Sequence, residues 1–236
     1  TRAINDVVAR RGVALIPAFA IGRTTLVLYR LEQLERAGAI PEIPIYVDSP
    51  MAVSANDIYC HFGNDPNLAA DLRTESEDFC PLRDSNTHYV RSVEESKGLN
   101  RLRGPAIIVS ASGMLTGCRV VHHLKRLLPE EQNKILLVGY QAVGTRGWRL
   151  QQGEEQIKIH GQMIPRRAEV QSIQGFSAHG DETDLLDWLS TSARPPEQVF
   201  LVHGEERSLT AMETAVRERL GWPTAIPEYM SSVELG

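Results

Sequence analysis

Cysteine is scarce in this chain, and long apolar runs are missing from it. The three cysteines, Cys60, Cys80 and Cys118, are odd in number, widely separated and not arranged as a C-x-x-C pair. A disulfide framework and a cysteine zinc site are therefore not expected, and the cysteine usage favours a reducing cytosol. No apolar stretch is long enough to span a bilayer, and no signal-peptide pattern is present. We therefore expect a cytoplasmic protein without a membrane partner.

A strong excess of positive charge is also absent, since the net charge is −5 and the pI is about 5.8. This balance excludes a grossly basic nucleic-acid coat but allows a local positive groove. With 236 residues, 42% of them hydrophobic, the chain can bury a full-sized core in one domain, or in a large and a small one. It begins inside a helical pattern without an initiator methionine, so we expect a piece of a longer protein.

Short apolar runs, each followed by an amphipathic helical pattern, organise the first two-thirds of the chain. Near-continuous apolar strands that alternate with such helices indicate an α/β fold, in which a parallel sheet is covered on both faces. A further helix is predicted over residues 93–102. The predicted strands cover residues 13–16, 43–47, 106–109 and 135–138.

The pattern changes after residue 150, where we place a domain boundary that gives domains 1–150 and 151–236. Short alternating segments over residues 156–173 predict a hairpin-rich antiparallel region. The remainder predicts a strand between two helices. These three elements cover residues 182–190, 199–202 and 209–220.

Three loops that follow predicted strands, at residues 20–25, 110–119 and 139–149, are rich in Gly, Ser, Thr and Arg. In a parallel α/β sheet such loops gather at one edge, where ligands bind. Small residues let backbone amides approach a phosphate, and arginine supplies paired donors. Neither a Walker motif nor a G-x-G-x-x-G after a strand is present, so a phosphate-rich polymer or a phosphate ester is favoured over a nucleotide cofactor. The candidate phosphate-binding or RNA-binding residues are Arg23, Ser110, Ser112, Gly113, Met114, Arg146 and Ser177.

Two histidines, His179 and His203, each lie in a loop of small residues and are followed by glycine and an acid. Such loops can hold an imidazole out to a substrate or a metal. In the alternative, Asp181 caps the next helix and both histidines are hydrogen-bonded residues at the edge of the core. From the residues alone, both interpretations stay open.

The other five histidines have plainer explanations. His122 and His123 are predicted on the solvated face of a helix whose apolar residues lie elsewhere. His61 and His88 are predicted at the surface, and His160 as a hairpin residue rather than a ligand.

Six stretches, in order along nearly the whole chain, carry the most specific pattern. They are 16–23 (Ile-Pro-Ala-Phe-Ala-Ile-Gly-Arg), 46–52 (Tyr-Val-Asp-Ser-Pro-Met-Ala), 110–117 (Ser-Ala-Ser-Gly-Met-Leu-Thr-Gly), 139–145 (Gly-Tyr-Gln-Ala-Val-Gly-Thr), 175–181 (Gly-Phe-Ser-Ala-His-Gly-Asp) and 201–205 (Leu-Val-His-Gly-Glu). In these stretches the chain resembles the C-terminal portion of the β-CASP nucleases, a group with the metallo-β-lactamase fold. The resemblance implies that residues 1–150 are the β-CASP domain and that residues 151–236 close the αββα metallo-β-lactamase domain.

The resemblance also implies roles for the two histidines. His179 falls on the histidine that contacts the scissile phosphate and protonates the leaving oxygen. His203 falls on a zinc ligand, and histidine at that position is typical of members that act on RNA. The implied activity is hydrolysis of RNA phosphodiester bonds by an enzyme that holds two zinc ions.

The chain departs from the family in one large respect. The H-x-H-x-D-H signature and the further metal ligands lie upstream of these stretches in relatives, and none is found here; Asp48 is not a substitute. Because catalytic zinc needs three or more protein ligands, we expect this chain alone to be inactive, or at most a phosphate or RNA binder. Smaller departures are Cys118 and Trp148, where the family pattern predicts glycine and arginine. The expected partners are RNA, the missing N-terminal half and, as an open option, a second copy in a homodimer.

Three functions are alternatives to RNA hydrolysis. A non-catalytic RNA-binding or scaffold member of the same family is the main alternative. A serine hydrolase that uses Ser177 or Ser112 is disfavoured because residues 175–179 do not form G-x-S-x-G. Hydrolysis of a small phosphate ester is disfavoured because the implied β-CASP domain forms a cleft suited to single-stranded nucleic acid.

Overall fold

The chain divides into two compact units, Thr1–Ser177 and Ala178–Gly236. In the described ranges, no helix combines the length and the apolar character needed to cross a bilayer. The computed structural model describes residues 1–67, 73, 80, 82, 86–177 and 179–234.

Short strands and mostly short helices alternate along the described residues. The strands are β1 (Val13–Pro17), β2 (Ile45–Val47), β3 (Thr87–Tyr89), β4 (Ala106–Ser110), β5 (Lys134–Leu137), β6 (Gln156–Ile159), β7 (Gln162–Pro165), β8 (Glu169–Ser172), β9 (Val199–Phe200) and β10 (Thr224–Ala225). The helices are α1 (Arg2–Ala9), α2 (Arg23–Arg36), α3 (Pro50–His61), α4 (Val93–Gly98) with a 3₁₀ turn at Leu99–Arg101, α5 (Cys118–Leu127), α6 (Arg146–Gln151), α7 (Glu182–Ser190) and α8 (Glu206–Leu220).

One parallel sheet with the strand order β3-β2-β4-β1-β5-β8 forms the centre of the first unit. Side chains alternate between the two faces of a strand. In β1, Ala14 and Ile16 pack with α1, α2 and α3, whereas Val13 and Leu15 pack on the opposite face with α5 and α6. All four side chains are almost completely buried. The predicted α/β fold, with helices on both faces of a parallel sheet, is confirmed.

The prediction of an antiparallel region over residues 156–173 is correct for β6 and β7 but wrong for β8. The first two strands pair antiparallel as a hairpin. Strand β8 instead pairs parallel with β5, from Lys134 opposite Glu169 to Leu137 opposite Ser172. It is an edge strand with a largely exposed face, and such a strand shows the same local alternation as a hairpin strand. The main sheet therefore continues as far as Ser172.

The second unit has a small core of its own. Helices α7 and α8 pack around Leu186, Val216 and Trp222, beside the parallel pair of β9 and β10. Both predicted helices are confirmed, and α8 ends at Gly221 with a left-handed φ of 67°, a conformation that glycine adopts readily.

The expectation that the cysteines stay unpaired is wrong for two of them. Cys60, at the end of α3, forms a disulfide with Cys80, and their Cα atoms are 5.4 Å apart. Sequence spacing could not show that the chain returns to α3 after 20 residues. Cys118 is free and exposed.

Candidate functional site

The three loops predicted to bind phosphate lie at one edge of the main sheet. They follow β1, β4 and β5, which are adjacent and parallel, so their carboxyl ends point to the same edge. The predicted gathering of these loops is confirmed, because it follows from strand order alone.

The loop after β4 is held in shape by its own hydroxyl groups. Ser110 is buried, and its Oγ donates a hydrogen bond to the Asp48 carbonyl at 2.7 Å. The Ser112 Oγ accepts hydrogen bonds from the backbone N–H of Thr116 at 3.1 Å and of Gly117 at 3.4 Å. These contacts fold the loop tightly ahead of α5. The predicted phosphate contacts of Ser110 and Ser112 stay predictions.

Gly113 and Met114 lie where this loop meets its neighbours. A Cβ atom on Gly113 would lie 3.1 Å from the Phe19 ring, which leaves little room for a side chain. The Met114 carbonyl accepts a hydrogen bond from the Gly147 N–H at 3.2 Å. The loops after β1, β4 and β5 are therefore in mutual contact through these two residues.

Two further residues of the first unit flank the loops. Arg23, at the start of α2, donates through Nη1 to the Phe176 carbonyl and lies 5.8 Å from the centroid of the Phe176 ring. It therefore anchors the segment that ends with the exposed Ser177. The predicted phosphate contacts of Arg23 and Ser177 stay predictions.

Arg146 connects the loop after β4 to the β6–β7 hairpin. Its Nε donates to the Lys158 carbonyl at 2.9 Å, and its Nη1 lies 3.1 Å from the carbonyls of Leu115 and Thr116. Three backbone acceptors thus fix the guanidinium at the carboxyl edge of the sheet. A structural role is established here, and the predicted contact with phosphate stays a prediction.

A buried ionic cluster beneath the loops was missed by the sequence reasoning. The Asp48 carboxylate is completely buried and receives hydrogen bonds from Arg119 Nη1 at 2.7 Å and Ser96 Oγ at 2.6 Å. His123 Nε2 lies 2.6 Å from Asp48 Oδ2, the oxygen that also accepts from Ser96, whereas Arg119 contacts Oδ1. Burial opposes ionisation of Asp48, but the hydrogen bonds from His123, Ser96 and Arg119 outweigh it and hold the pKa of Asp48 below its ordinary value.

The prediction of a solvated His123 is therefore wrong, whereas His122 is exposed as expected. His123 is only 1% exposed. It lies three residues after Val120 and four before Leu127, which are buried positions on the inner face of α5. Helical periodicity could have identified it, since residues three and four apart share a face. His61 and His88 are exposed as predicted, and His160 lies in the turn of the β6–β7 hairpin, as predicted.

The resemblance predicts glycine at position 118, and the backbone there has a conformation that suits glycine. Cys118 has a φ of 62°, in the left-handed region that side chains disfavour. Cys118 adopts this conformation at the point where the loop after β4 leads into α5.

His179 and His203 both belong to the second unit, and both side chains are exposed. His179 lies two residues before Asp181, which forms a capping box with Asp184 at the start of α7, so the expected helix cap is confirmed. His203 lies between β9 and α8 with a φ of 63°. Histidine is among the residue types that adopt this left-handed conformation more often than most. The role of His203 stays a prediction.

The chain neighbours of the two histidines line one groove of about 690 Å³. Gly180 follows His179, and Val202 and Gly204 flank His203; all three neighbours contribute to the groove wall. The two histidine-bearing loops therefore lie side by side within this unit.

The described residues do not provide a complete set of zinc ligands. Among the described residues, no cluster of three or more His, Cys, Asp or Glu side chains is placed to hold a metal ion. A catalytic zinc ion takes three protein ligands and keeps one position open. His203 can be at most one of such a set, so the described donors do not form a zinc site by themselves.

Comparison with known families assigns both parts of the chain. Residues 24–150 match the family model described as the Beta-Casp domain. Residues 163–227 match the model described as the Zn-dependent metallo-hydrolase RNA specificity domain. The first match covers more than half of the chain, and the second contains both His179 and His203. The chain therefore belongs to the β-CASP family and corresponds to the C-terminal portion of its members.

Several relatives align along most of the chain. Ribonuclease TTHA0252 of Thermus thermophilus is 36% identical over 214 residues, which are 89% of this chain and 47% of the relative. The transcription termination factor FttA of Pyrococcus horikoshii is 34% identical over 239 residues, 98% of this chain and 36% of the relative. An RNase J-like protein of Methanocaldococcus jannaschii is 31% identical over 226 residues, 95% of this chain and 50% of the relative. The chain thus spans half the length of these relatives or less.

Proposed function

We propose that the longer protein to which this chain belongs hydrolyses RNA phosphodiester bonds in a zinc-dependent reaction. One observation carries the proposal: the match to the RNA specificity domain of Zn-dependent metallo-hydrolases contains both His179 and His203. The name of the Thermus thermophilus relative, a ribonuclease, supports the same substrate. RNA would therefore be the principal partner.

His179 is proposed as the general acid. Its imidazole is exposed, and an imidazole can carry a proton near neutral pH. It would donate that proton to the leaving oxygen, a contribution of about 10²- to 10⁴-fold in rate. The capping box at Asp181 fixes the chain immediately after it.

His203 is proposed as one zinc ligand, through a ring nitrogen in the neutral form. The remaining ligands would come from the part of the longer protein outside this chain, because the described donors here are too few. Bound zinc would supply electrostatic stabilisation of a phosphate under attack. This chain by itself is therefore proposed to be inactive, and at most to bind phosphate or RNA.

The loops at the carboxyl edge are proposed to hold the RNA backbone. Their serine hydroxyls, backbone amides and arginines are groups that bind phosphate oxygens. The proposed contacts are Arg23, Ser110, Ser112, Gly113, Met114, Arg146 and Ser177. The division into a β-CASP domain at 1–150 and a closing metallo-β-lactamase part at 151–236 is kept as a proposal, as is a cytoplasmic location.

The test is cleavage of a 5′-labelled RNA by the full-length protein with added zinc, compared among three histidine variants. His179→Ala should lower kcat by about 10²- to 10⁴-fold while RNA affinity stays close to that of the wild type. His203→Ala should abolish cleavage and lower the zinc content of the purified protein. His61→Ala changes an exposed histidine outside the motifs and should cleave like the wild type. Undiminished cleavage by His179→Ala and His203→Ala would refute the assignment.

A second candidate is a non-catalytic RNA-binding role in the same family. The Pyrococcus horikoshii relative is named as a transcription termination factor, and that name does not require cleavage. The same assay separates the two functions: RNA binding without turnover by the zinc-loaded full-length protein supports the second.

A further inference from the structure

A basic cavity of about 500 Å³ lies between α4, the amino end of α5 and the turn between β6 and β7. This volume falls within the range of about 300–1,000 Å³ that is typical of small-ligand sites. Among the described residues, no carboxylate lines its wall. The side chains that can carry positive charge there are Lys97, Arg119, His122, His123, Arg146 and His160.

Three of these six side chains already have partners. Arg119 and His123 contact Asp48, and Arg146 donates to three backbone carbonyls. Lys97, His122 and His160, in contrast, make no ion pair with any described residue. The rings of His122 and His160 lie with their centroids 4.6 Å apart and their planes tilted by 40°. These three basic side chains of the cavity wall therefore have no carboxylate partner in the described part of the chain.

The start of α5 adds to this preference for an anion. Gly117, at the N-cap of this ten-residue helix, provides no side-chain cap. The Gly117 N–H donates to Ser112 Oγ and the Val120 N–H to the Ala111 carbonyl, and the helix dipole still favours negative charge at this amino end.

His123 provides an independent indication of a missing ligand. It contributes to the cavity wall and is 1% exposed. Its Nε2 is used by Asp48, whereas its buried Nδ1 has no hydrogen-bond partner among the described residues. A buried polar atom without a partner is unusual in a folded protein.

We propose that this cavity binds a phosphate ester of nucleotide size, with the phosphate held between Lys97, His122 and His160. A phosphate dianion would compensate the three unneutralised groups, and the volume leaves space for the esterified part. Lys97, His122 and His160 have no part in the hydrolysis proposed above, so this site goes beyond that function. A free nucleotide and a phosphate of an RNA chain offer the same chemistry, and the experiment distinguishes them.

The electrostatic surroundings of His122 support the same ligand. Partial burial, and then the nearby charges of His160, His123 and Lys125, hold the pKa of His122 below its ordinary value. A bound anion would offset those charges and raise the pKa of His122 again. The groups that face it from the other walls, Lys97 of α4 and Arg146 of α6, are cationic as well.

The experiment is isothermal titration calorimetry of the full-length protein with adenosine monophosphate, inorganic phosphate and a short single-stranded RNA. Adenosine monophosphate should bind with a Kd that rises about tenfold in Lys97→Gln and in His160→Gln, as expected for loss of one charge-assisted hydrogen bond. Arg101→Gln removes one positive charge from the exposed turn after α4, outside the cavity wall, and should leave the Kd unchanged. RNA binding that weakens in the same two variants, with adenosine monophosphate bound only weakly, identifies RNA as the source of the phosphate.

Two outcomes would overturn the proposal. One is the absence of binding of all three probes to the wild type. The other is a Kd that changes no more in Lys97→Gln and His160→Gln than in Arg101→Gln. His203→Ala separates this site from the proposed nuclease function, since it should abolish cleavage and leave the cavity-dependent part of nucleotide binding intact.

Discussion

Asp48 is completely buried. Burial of an ionised carboxylate without hydrogen-bond or ionic partners would destabilise the fold. Three side chains from two helices contact it: Ser96 of α4, and Arg119 and His123 of α5. Removal of one member of a buried ion pair typically destabilises by about 3–5 kcal/mol, because the other charge is left uncompensated. Asp48 is therefore assigned to stability of the loops rather than to catalysis.

Asp48→Asn should lower the free energy of unfolding by about 3 kcal/mol at neutral pH, since Arg119 and His123 lose their carboxylate. The pKa of Asp48 lies below the ordinary value of 3.8 in the fold, so its contribution is complete above that pH. It is lost as pH falls through the folded-state pKa. The difference between wild type and variant should therefore shrink only below about pH 4. Denaturant unfolding at several pH values measures it.

Asp57→Asn is the matched control for this change. Asp57 pairs with Arg91 at 2.8 Å, but its side chain is partly exposed, and such pairs contribute about 1 kcal/mol or less. An equal loss of stability in both variants would refute the role given to Asp48.

Sequence alone could identify the candidate histidines but not the contacts beneath them. His179 and His203 were found because their loops have a distinctive local pattern. The cluster of Asp48, Arg119 and His123 joins residues separated by up to 75 positions, so local pattern carries no sign of it. Of this cluster, only the position of His123 on the buried face of α5 could have been predicted from the sequence.

Helix α5 connects the core to the proposed phosphate cavity. Val120, Leu124 and Leu127 on its inner face are completely buried, and His122 on its outer face lines the cavity. The stability of this helix therefore depends on its apolar face and is separate from ligand binding.

Leu124→Ala should destabilise the protein by about 3 kcal/mol, because it removes buried methyl groups and leaves a cavity. Lys125→Ala, on the neighbouring and partly exposed position, should change stability by about 0.5 kcal/mol or less. Thermal unfolding of the two variants under the same conditions checks this. A similar melting temperature for both would contradict the packing described for α5.

Strands that consist of a continuous apolar run could be predicted from the sequence. Strands that form only through pairing with a distant strand could not. Strands β1, β4 and β5 are buried on both faces, and they appear in the sequence as uninterrupted apolar stretches. Strand β3 has no such run and was missed; it is a strand through its pairing with β2. Strand β8 was recognised but assigned to the wrong partner, because pairing with β5 is a long-range choice that alternation does not encode.

At the scale of the whole molecule, the chain is proposed to hold part of a catalytic apparatus. It covers half or less of the length of the relatives described above. Its main sheet forms an α/β layer structure, and the loops proposed to bind phosphate lie at one edge of that sheet. Among the described residues, His203 has no cluster of further metal ligands around it. The general acid, one zinc ligand and the RNA-holding loops are proposed to lie in this chain.

The most direct measurement compares the full-length protein with this 236-residue chain on one 5′-labelled RNA, with zinc in excess and again after chelation. The account predicts that the full-length protein cleaves the RNA, that chelation stops it, and that the shorter chain binds RNA at most. Turnover by the shorter chain at a rate close to that of the full-length protein would contradict the account, because it would mean that these residues alone suffice for catalysis.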